Sequence, residues 1–172
     1  MRVLASAGTP IALVLVTGRP RLLHGVEALP QVNAVLQSFL PGPHGGAALA
    51  DALVGTFEPS GRLPLSWPTA ASSLLYPHWH TVTQQCDGSH TCGVAWPFGH
   101  GLSYTTFELV DVVARGGGDV VDVAAVLKHV SGPGGAAVVQ VYAAGRLRAF
   151  EKVFVEKASW TSEPVVVAPG SA

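Results

Sequence analysis

Residues 96–107 have the sequence WPFGHGLSYTTF, and the hydrophobic pattern of the chain changes across them. The part before this stretch is rich in glycine, alanine and proline, with buried-strand and helix patterns, whereas the part after it has short alternating runs. Pro97 fixes one backbone angle, and Gly99 and Gly101 can adopt conformations that are closed to other residues. Aromatic and leucine side chains add apolar surface around this tight path. We therefore expect residues 96–107, here called the seam, to form a buried and sharply folded junction between two structural units.

The part before the seam has the pattern of α/β structure. Ile11 to Val16 and Val32 to Leu40 are continuous apolar runs between turn signals. Strands that are buried on both faces, as in parallel sheets covered by helices, have this composition. We expect the two runs to be neighbouring strands of one largely parallel sheet.

A helix is predicted from Ala47 to Val54, because this run is alanine-rich and carries Leu49 and Leu53 four residues apart. Gly55 follows it and suits a helix C-cap. We expect this helix to pack on the sheet, which gives α/β architecture. The loop from Gly42 to Ala47 lacks the Lys-Ser/Thr pair of a phosphate-binding loop, so it is interpreted as a tight turn that leads into a packed helix.

An irregular segment is predicted from Pro68 to Ala95, and it holds both cysteines. Asp87 and Gly88 suggest a turn, across which Cys86 and Cys92 would face each other. A small disulfide loop, two free thiols and a metal site all stay open, although the five residues between the cysteines are unlike the tight ligand pairs of structural zinc sites. The candidate metal ligands are His78, His80, Cys86, His90 and Cys92.

The part after the seam has an all-β pattern. A strand with a period of two residues is predicted where neighbours that include Asp122 and Lys128 alternate with Val121, Val123, Ala125 and Leu127. Further strands are predicted at Ala136 to Ala143 and Phe150 to Val155, and a glycine-rich turn at residues 131–135. About five strands fit between Tyr104 and Ala172, fewer than the roughly seven of an immunoglobulin-type sandwich.

The seam resembles the signature of glycoside hydrolase family 3, the β-glucosidase-like enzymes, at the end of their α/β sandwich domain. Residues 17–20 (TGRP) and the stretch from Pro41-Gly42 to residues 59–64 (PSGRLP) match the family in the same order. Gly135 to Tyr142, with residues 150–153 (FEKV), resemble the fibronectin type III-like domain of many members. The resemblance implies that residues 1–103 form the last part of the α/β sandwich, with a linker-like segment at 68–95. Residues 104–172 would form an incomplete fibronectin type III-like β-sandwich.

The same resemblance implies a parent enzyme that hydrolyses terminal β-linked sugars with retention of configuration, without a metal or organic cofactor. In the family, the nucleophilic aspartate lies in a barrel domain, and the acid/base residue precedes the segment matched here. No catalytic residue is therefore expected in this chain, no substrate-binding residue is assigned, and the carbohydrate substrate would be held through the barrel. The local carboxyl candidates are Glu27, Asp51, Glu58 and Asp87, and none falls on a catalytic motif. Asp51 and Glu58 are interpreted as ordinary surface or turn-forming groups, and His100 as a buried structural histidine.

Composition restricts the partners. Of the 172 residues, 48% are hydrophobic and 12% are charged, with a formal net charge of −1, which gives no electrostatic case for nucleic acid or acidic membranes.

The mean hydropathy of +0.38 calls for a check for membrane spans. The longest strongly apolar run, Ile11 to Val16, is far short of the roughly 20 residues that a bilayer needs. Ala5-Ser6-Ala7 precede this run, whereas a signal-peptide cleavage site should follow it. No signal peptide is expected in this chain, although the resemblance implies a secreted or extracytoplasmic full-length enzyme.

Two other function classes are compatible with the sequence. A non-catalytic carbohydrate-binding or interaction module would need an exposed row of aromatic side chains, for which Trp67, Trp79 and Trp96 are the candidates. A truncated gene product without independent function is the other alternative. The oligomeric state does not follow from the sequence.

Overall fold

The computed structural model describes residues 6, 8–69, 93–117, 120–159 and 165–167. This part of the chain is mostly sheet, with one α-helix, α1 (Gly45–Val54), and one 3-10 turn, Val26–Ala28. No helix in it is long and apolar enough to cross a membrane. The strands are β1 (Ile11–Leu15), β2 (Val32–Gln37), β3 (Trp67–Pro68), β4 (Val94–Trp96), β5 (Thr106–Gly117), β6 (Val120–Ser131), β7 (Gly135–Ala143), β8 (Arg146–Val155) and β9 (Val165–Val167).

Strands β1 and β2 are parallel neighbours, which confirms that prediction. β2 ends at Gln37 and not at Leu40 as predicted. Ser38 still donates its backbone N–H to the Leu15 carbonyl at 3.0 Å, but the next residue, Phe39, has a φ of 54°. A positive φ interrupts an extended strand. The expectation of burial on both faces is wrong, since the residues of the pair are half-buried or exposed. In the described part of the chain this sheet has two strands only.

Helix α1 begins at Gly45, two residues earlier than predicted. Its C-cap is confirmed, because Gly55 has a φ of 83° and donates its N–H to the Ala52 carbonyl at 3.3 Å. The predicted packed apolar face is wrong in part, since Leu53 is 49% exposed and Val54 76% exposed. The buried helix residues are the small Gly45 and Ala52, so the helix makes its close contacts through them.

Strands β3 and β4 pair antiparallel at both ends of the segment that was predicted to be irregular. Trp67 pairs with Trp96, and Thr69 donates its N–H to the Gly93 carbonyl at 2.8 Å. The bounds 68–95 are therefore wrong at both ends, because a pairing between residues far apart in sequence leaves no local signal. Residues 70–92, with Cys86, Cys92 and the three histidines of the metal hypothesis, lie outside the described residues.

The residues after the seam form antiparallel strands, in the sheet orders β5-β6-β9 and β7-β8. Leu127, Ala137 and Val155 are buried between them. Ala125 and Leu127 are 2% and 5% exposed, which confirms the predicted alternation at these two residues, whereas Val121 on the same face is 43% exposed. Strand β8 begins at Arg146, four residues before the predicted start at Phe150.

The seam follows the tight path expected of it but is less buried. Gly99 has a φ of 80°, a conformation that favours glycine. Gly101 is needed for a different reason: a Cβ atom there would lie 2.5 Å from the Gly61 carbonyl oxygen. Leu102 is 80% exposed and Tyr104 49% exposed, so the prediction of a buried seam is wrong at these side chains.

Candidate functional site

A cleft of about 630 Å³ opens between β2, the segment 57–63 and the seam, and we call it the central cleft. Clefts of this size are where small ligands bind in most proteins. Its lining combines apolar side chains of β2 with aromatic and charged groups. The residues that carry polar or aromatic chemistry there are Glu27, Asn33, Gln37, Phe39, Phe57, Ser60, Arg62, Trp67, Trp96, His100 and Lys152.

Two tryptophans form one wall of the central cleft. Trp67 is 1% exposed and donates its indole N–H to the Arg21 carbonyl at 3.0 Å. The Trp96 ring meets Trp67 edge to face at 6.0 Å, and the His100 ring stacks on Trp96 at 6.5 Å with an interplanar angle of 14°. These two tryptophans therefore do not form the exposed row that a carbohydrate-binding module needs, and Trp79 lies outside the described residues.

His100 is held in the cleft wall by its backbone. Its carbonyl accepts a hydrogen bond from Leu63 N–H at 2.8 Å, and its N–H donates to the Pro97 carbonyl at 3.1 Å. Burial lowers the pKa of His100 below its usual 6.5, and the positive charge of Arg62 lowers it further. The imidazole is therefore neutral at neutral pH. This supports the interpretation of His100 as a structural residue of the seam.

Arg62 places a fixed positive charge beside His100. Its Nη1 donates to the carbonyls of Ser60 at 3.2 Å and Gly61 at 3.0 Å. Burial lowers the pKa of Arg62, and the Glu58 carboxylate raises it in part. A guanidinium remains protonated in proteins, so the charge is permanent. Arg62 lies within the residues 59–64 motif, to which no role was assigned from the sequence.

Of the four candidate carboxyl groups, the structure brings only that of Glu27 to the central cleft. Its Oε2 is buried and has no hydrogen-bond partner in the described part of the chain. Asp51 is exposed on α1, and Asp87 lies outside the described residues. Within the described residues, the cleft therefore has a single carboxyl group. No group of three metal-binding side chains forms there either, nor elsewhere in those residues.

Glu58 is not an ordinary surface group, so that interpretation is wrong. Its Oε1 accepts the backbone N–H of Thr105 at 2.5 Å. Its Oε2 is buried beside Gly135, where an added Cβ atom would collide with it. Glu58 thus connects the segment after α1 to Thr105, the residue before β5, and lies against Gly135 at the start of β7. This role leaves no local signal in the sequence, because the partners are 47 or more residues away in the chain.

The seam is also fastened to β7. Gln140 donates its side-chain amide to the Gly99 carbonyl at 3.0 Å, and Tyr142 donates its hydroxyl to Gln140 Oε1 at 2.5 Å. The Phe98 ring meets the Tyr142 ring edge to face at 6.5 Å. Partial burial raises the pKa of the Tyr142 phenol. One side of the cleft is therefore fixed relative to the β-rich part of the chain.

A family model matches residues 1–104, and its description is glycosyl hydrolase family 3 C-terminal domain. The matched range includes α1, the residues 59–64 motif, and the seam as far as Tyr104. It covers well over half of the chain. The chain belongs to glycosyl hydrolase family 3.

Two relatives of this glycosyl hydrolase family 3 chain are named as β-glucosidases. The periplasmic β-glucosidase of Salmonella typhimurium is 38% identical over 121 residues, which cover 63% of this chain and 16% of the relative. The lysosomal β-glucosidase of Dictyostelium discoideum is 38% identical over 112 residues, 63% of this chain and 13% of the relative. The chain thus carries the C-terminal domain of β-glucosidase-like proteins and spans a small part of their length. Their names place these two relatives in extracytoplasmic compartments.

A solved structure matches almost the whole family 3 chain. β-Glucosidase 3B from Thermotoga neapolitana, solved in complex with glucose, superposes with a TM-score of 0.76 and is 26% identical. The superposition covers 98% of this chain and 27% of that chain. It therefore extends beyond the family model into the antiparallel strands that follow the seam.

Proposed function

We propose that this chain is a non-catalytic C-terminal portion of a β-glucosidase-like enzyme that cleaves O-glycosidic bonds in carbohydrate catabolism. The observation that carries this proposal is the single carboxyl group of the central cleft in the described residues, that of Glu27. Glycoside hydrolysis by the usual retaining route needs two carboxyl groups that flank one bond, about 5 to 5.5 Å apart. Glu58, the other partly buried candidate, is occupied by the Thr105 N–H.

The chain would supply scaffold and one wall of the sugar site, and the reacting groups would lie on the rest of the enzyme. The size of the central cleft supports this role, as do its side chains that can hydrogen-bond to hydroxyl groups. No metal or organic cofactor is part of the proposal. The names of the periplasmic and lysosomal relatives support an extracytoplasmic location.

The domain division belongs to the same proposal. Residues 1–103 would be the last part of an α/β sandwich, in which β3 and β4 pair across the interval between them. Residues 104–172 would be an incomplete fibronectin type III-like domain, supported by the five antiparallel strands β5 to β9 and by the superposition on the Thermotoga neapolitana enzyme.

An activity assay tests the proposal directly. The purified chain should not hydrolyse aryl β-glycosides above background, because loss of both reacting carboxyl groups removes the covalent route and the leaving-group protonation together. The variants Glu27→Gln, Asp51→Ala, Glu58→Ala and Asp87→Ala are assayed beside it. Turnover by the unaltered chain that one of these substitutions abolishes would contradict the proposal.

A chimera provides the positive control. Replacing the matching C-terminal residues of the Salmonella typhimurium relative by this chain should preserve measurable β-glucosidase activity, since the replaced part would contribute walls and packing. The same chimera with Gly101→Val should lose activity, because any Cβ atom at this position meets the Gly61 carbonyl oxygen.

A further inference from the structure

Strand β5 lies at the edge of its sheet, and within the described part of the chain no strand pairs with its outer side. It is long, at 12 residues, and residues 111–116 are all exposed. An edge strand offers a row of N–H and C=O groups that a further strand can pair with. In proteins that avoid association through such an edge, the edge strand is short, twisted away from a partner, or carries obstructing charges.

A bulge at Val110 leaves one regular segment on this edge. The register passes from Leu109 opposite Leu127 to Asp111 opposite Val126, so Val110 has no partner in β6. Beyond the bulge, Asp111, Val113 and Arg115 face the same side of the sheet, because successive side chains alternate. The register with β6 then continues without a shift to Gly117.

The five residues from Asp111 to Arg115 are complementary to themselves. If two such segments run antiparallel with Val113 at the centre, Asp111 of each copy lies directly opposite Arg115 of the other. Two facing pairs of opposite charge therefore form. Val113 then lies opposite its own equivalent. Opposite charges in directly facing positions stabilise antiparallel pairs, and two β-branched side chains pack well there. Neither Asp111 nor Arg115 makes an ion pair within the described residues, although Arg115 lies opposite Asp122 in β6.

We propose that two copies of this chain associate edge to edge through Asp111–Arg115, antiparallel about Val113. The three-stranded sheet of each copy then becomes half of a continuous six-stranded sheet. On the opposite face of the sheet, Val112 is 51% exposed, and it comes to lie beside Ala114 of the second copy. The contact is small, so the association belongs among weak interfaces.

Charge exchange tests the pairing and its register together. Sedimentation equilibrium of the full chain, from micromolar to millimolar concentration, should show a monomer–dimer equilibrium. Asp111→Arg alone and Arg115→Asp alone should each weaken the dimer about tenfold or more, because both variants place like charges opposite each other twice. An equimolar mixture of these two variants should restore association, since each facing pair is again of opposite sign. The double variant Asp111→Arg/Arg115→Asp should also restore it.

The matched control is Glu151→Arg, the same type of charge exchange at an exposed position of β8, which should leave the dimer unchanged. Far-UV circular dichroism confirms that each variant is folded. A monomer at all concentrations would overturn the proposal and would mean that the two charges protect the edge. Association that the single variants do not weaken, or that the mixture does not restore, would overturn it equally.

Discussion

His100 shows how one side chain in the cleft wall makes the stability of the chain depend on pH. Burial and the neighbouring Arg62 charge both disfavour its protonated form. The folded-state pKa therefore lies below the value of 6.5 expected in the unfolded chain, and the unfolded chain binds more protons between the two values. The stability that comes from a neutral His100 is complete above about pH 6.5 and is lost as the pH falls toward the folded-state pKa.

We expect the substitution His100→Gln to reduce the loss of stability on acidification. For the unaltered chain and for the variant, the melting temperature is measured at about pH 7.5 and about pH 5.5, and the decrease in melting temperature between these two pH values is compared. This decrease should be smaller in the variant, whatever its absolute stability. His24→Gln, at an exposed histidine, serves as the control and should keep the full difference. Equal differences in all three proteins would contradict the role assigned to His100.

Two glycines of the helix region, one inside α1 and one at its C-cap, should respond in opposite ways to replacement by alanine. Gly46 lies inside the helix with open space around its Cα, whereas Gly55 is the left-handed C-cap with a φ of 83°. Gly46→Ala should stabilise the chain by about 0.5–1 kcal/mol through helix propensity. Gly55→Ala should destabilise it by about 1–2 kcal/mol, because alanine is strained in that conformation.

Urea unfolding of both variants measures these changes, and each variant is the control for the other since the chemical change is identical. Destabilisation by both would mean that the helix is not formed as described. Stabilisation by both would mean that Gly55 does not hold the left-handed cap.

The elements that sequence analysis predicted are those fixed by nearby residues. The cap at Gly55 and the alternation at Ala125 and Leu127 depend on local geometry and a repeating pattern, and both are confirmed. The β3–β4 pair joins Trp67 to Trp96, and no short window of sequence contains both. The same reason hid the role of Glu58. Burial was over-predicted at Leu53 and Leu102. An apolar side chain indicates that its burial would be favourable, but it does not show that the described residues bury it.

Across the whole molecule, Glu58 connects the α/β-patterned part to the β-rich part. One carboxylate oxygen accepts the Thr105 N–H, and Thr105 Oγ1 in turn accepts the Gly134 N–H at 3.1 Å. These contacts form a chain of hydrogen bonds from the segment after α1 to the turn before β7. Removal of the carboxylate would leave the buried Thr105 N–H without its partner.

Glu58→Ala should therefore lower the free energy of unfolding by about 1–3 kcal/mol. Asp51→Ala, at an exposed carboxylate seven residues earlier, is the matched control and should change it by less than about 0.5 kcal/mol. Urea unfolding followed by tryptophan fluorescence and by far-UV circular dichroism provides the measurement. Effects of equal size for the two variants would contradict the connecting role of Glu58.

The Thr69–Gly93 hydrogen bond has a consequence for the entropy of the chain. It brings Thr69 and Gly93 together through β3 and β4, although 23 residues separate them in sequence. Since the entropic cost of closing a loop rises by only about 0.6 kcal/mol for each doubling of its length, the cost of bringing these two ends together depends only weakly on the number of residues between them.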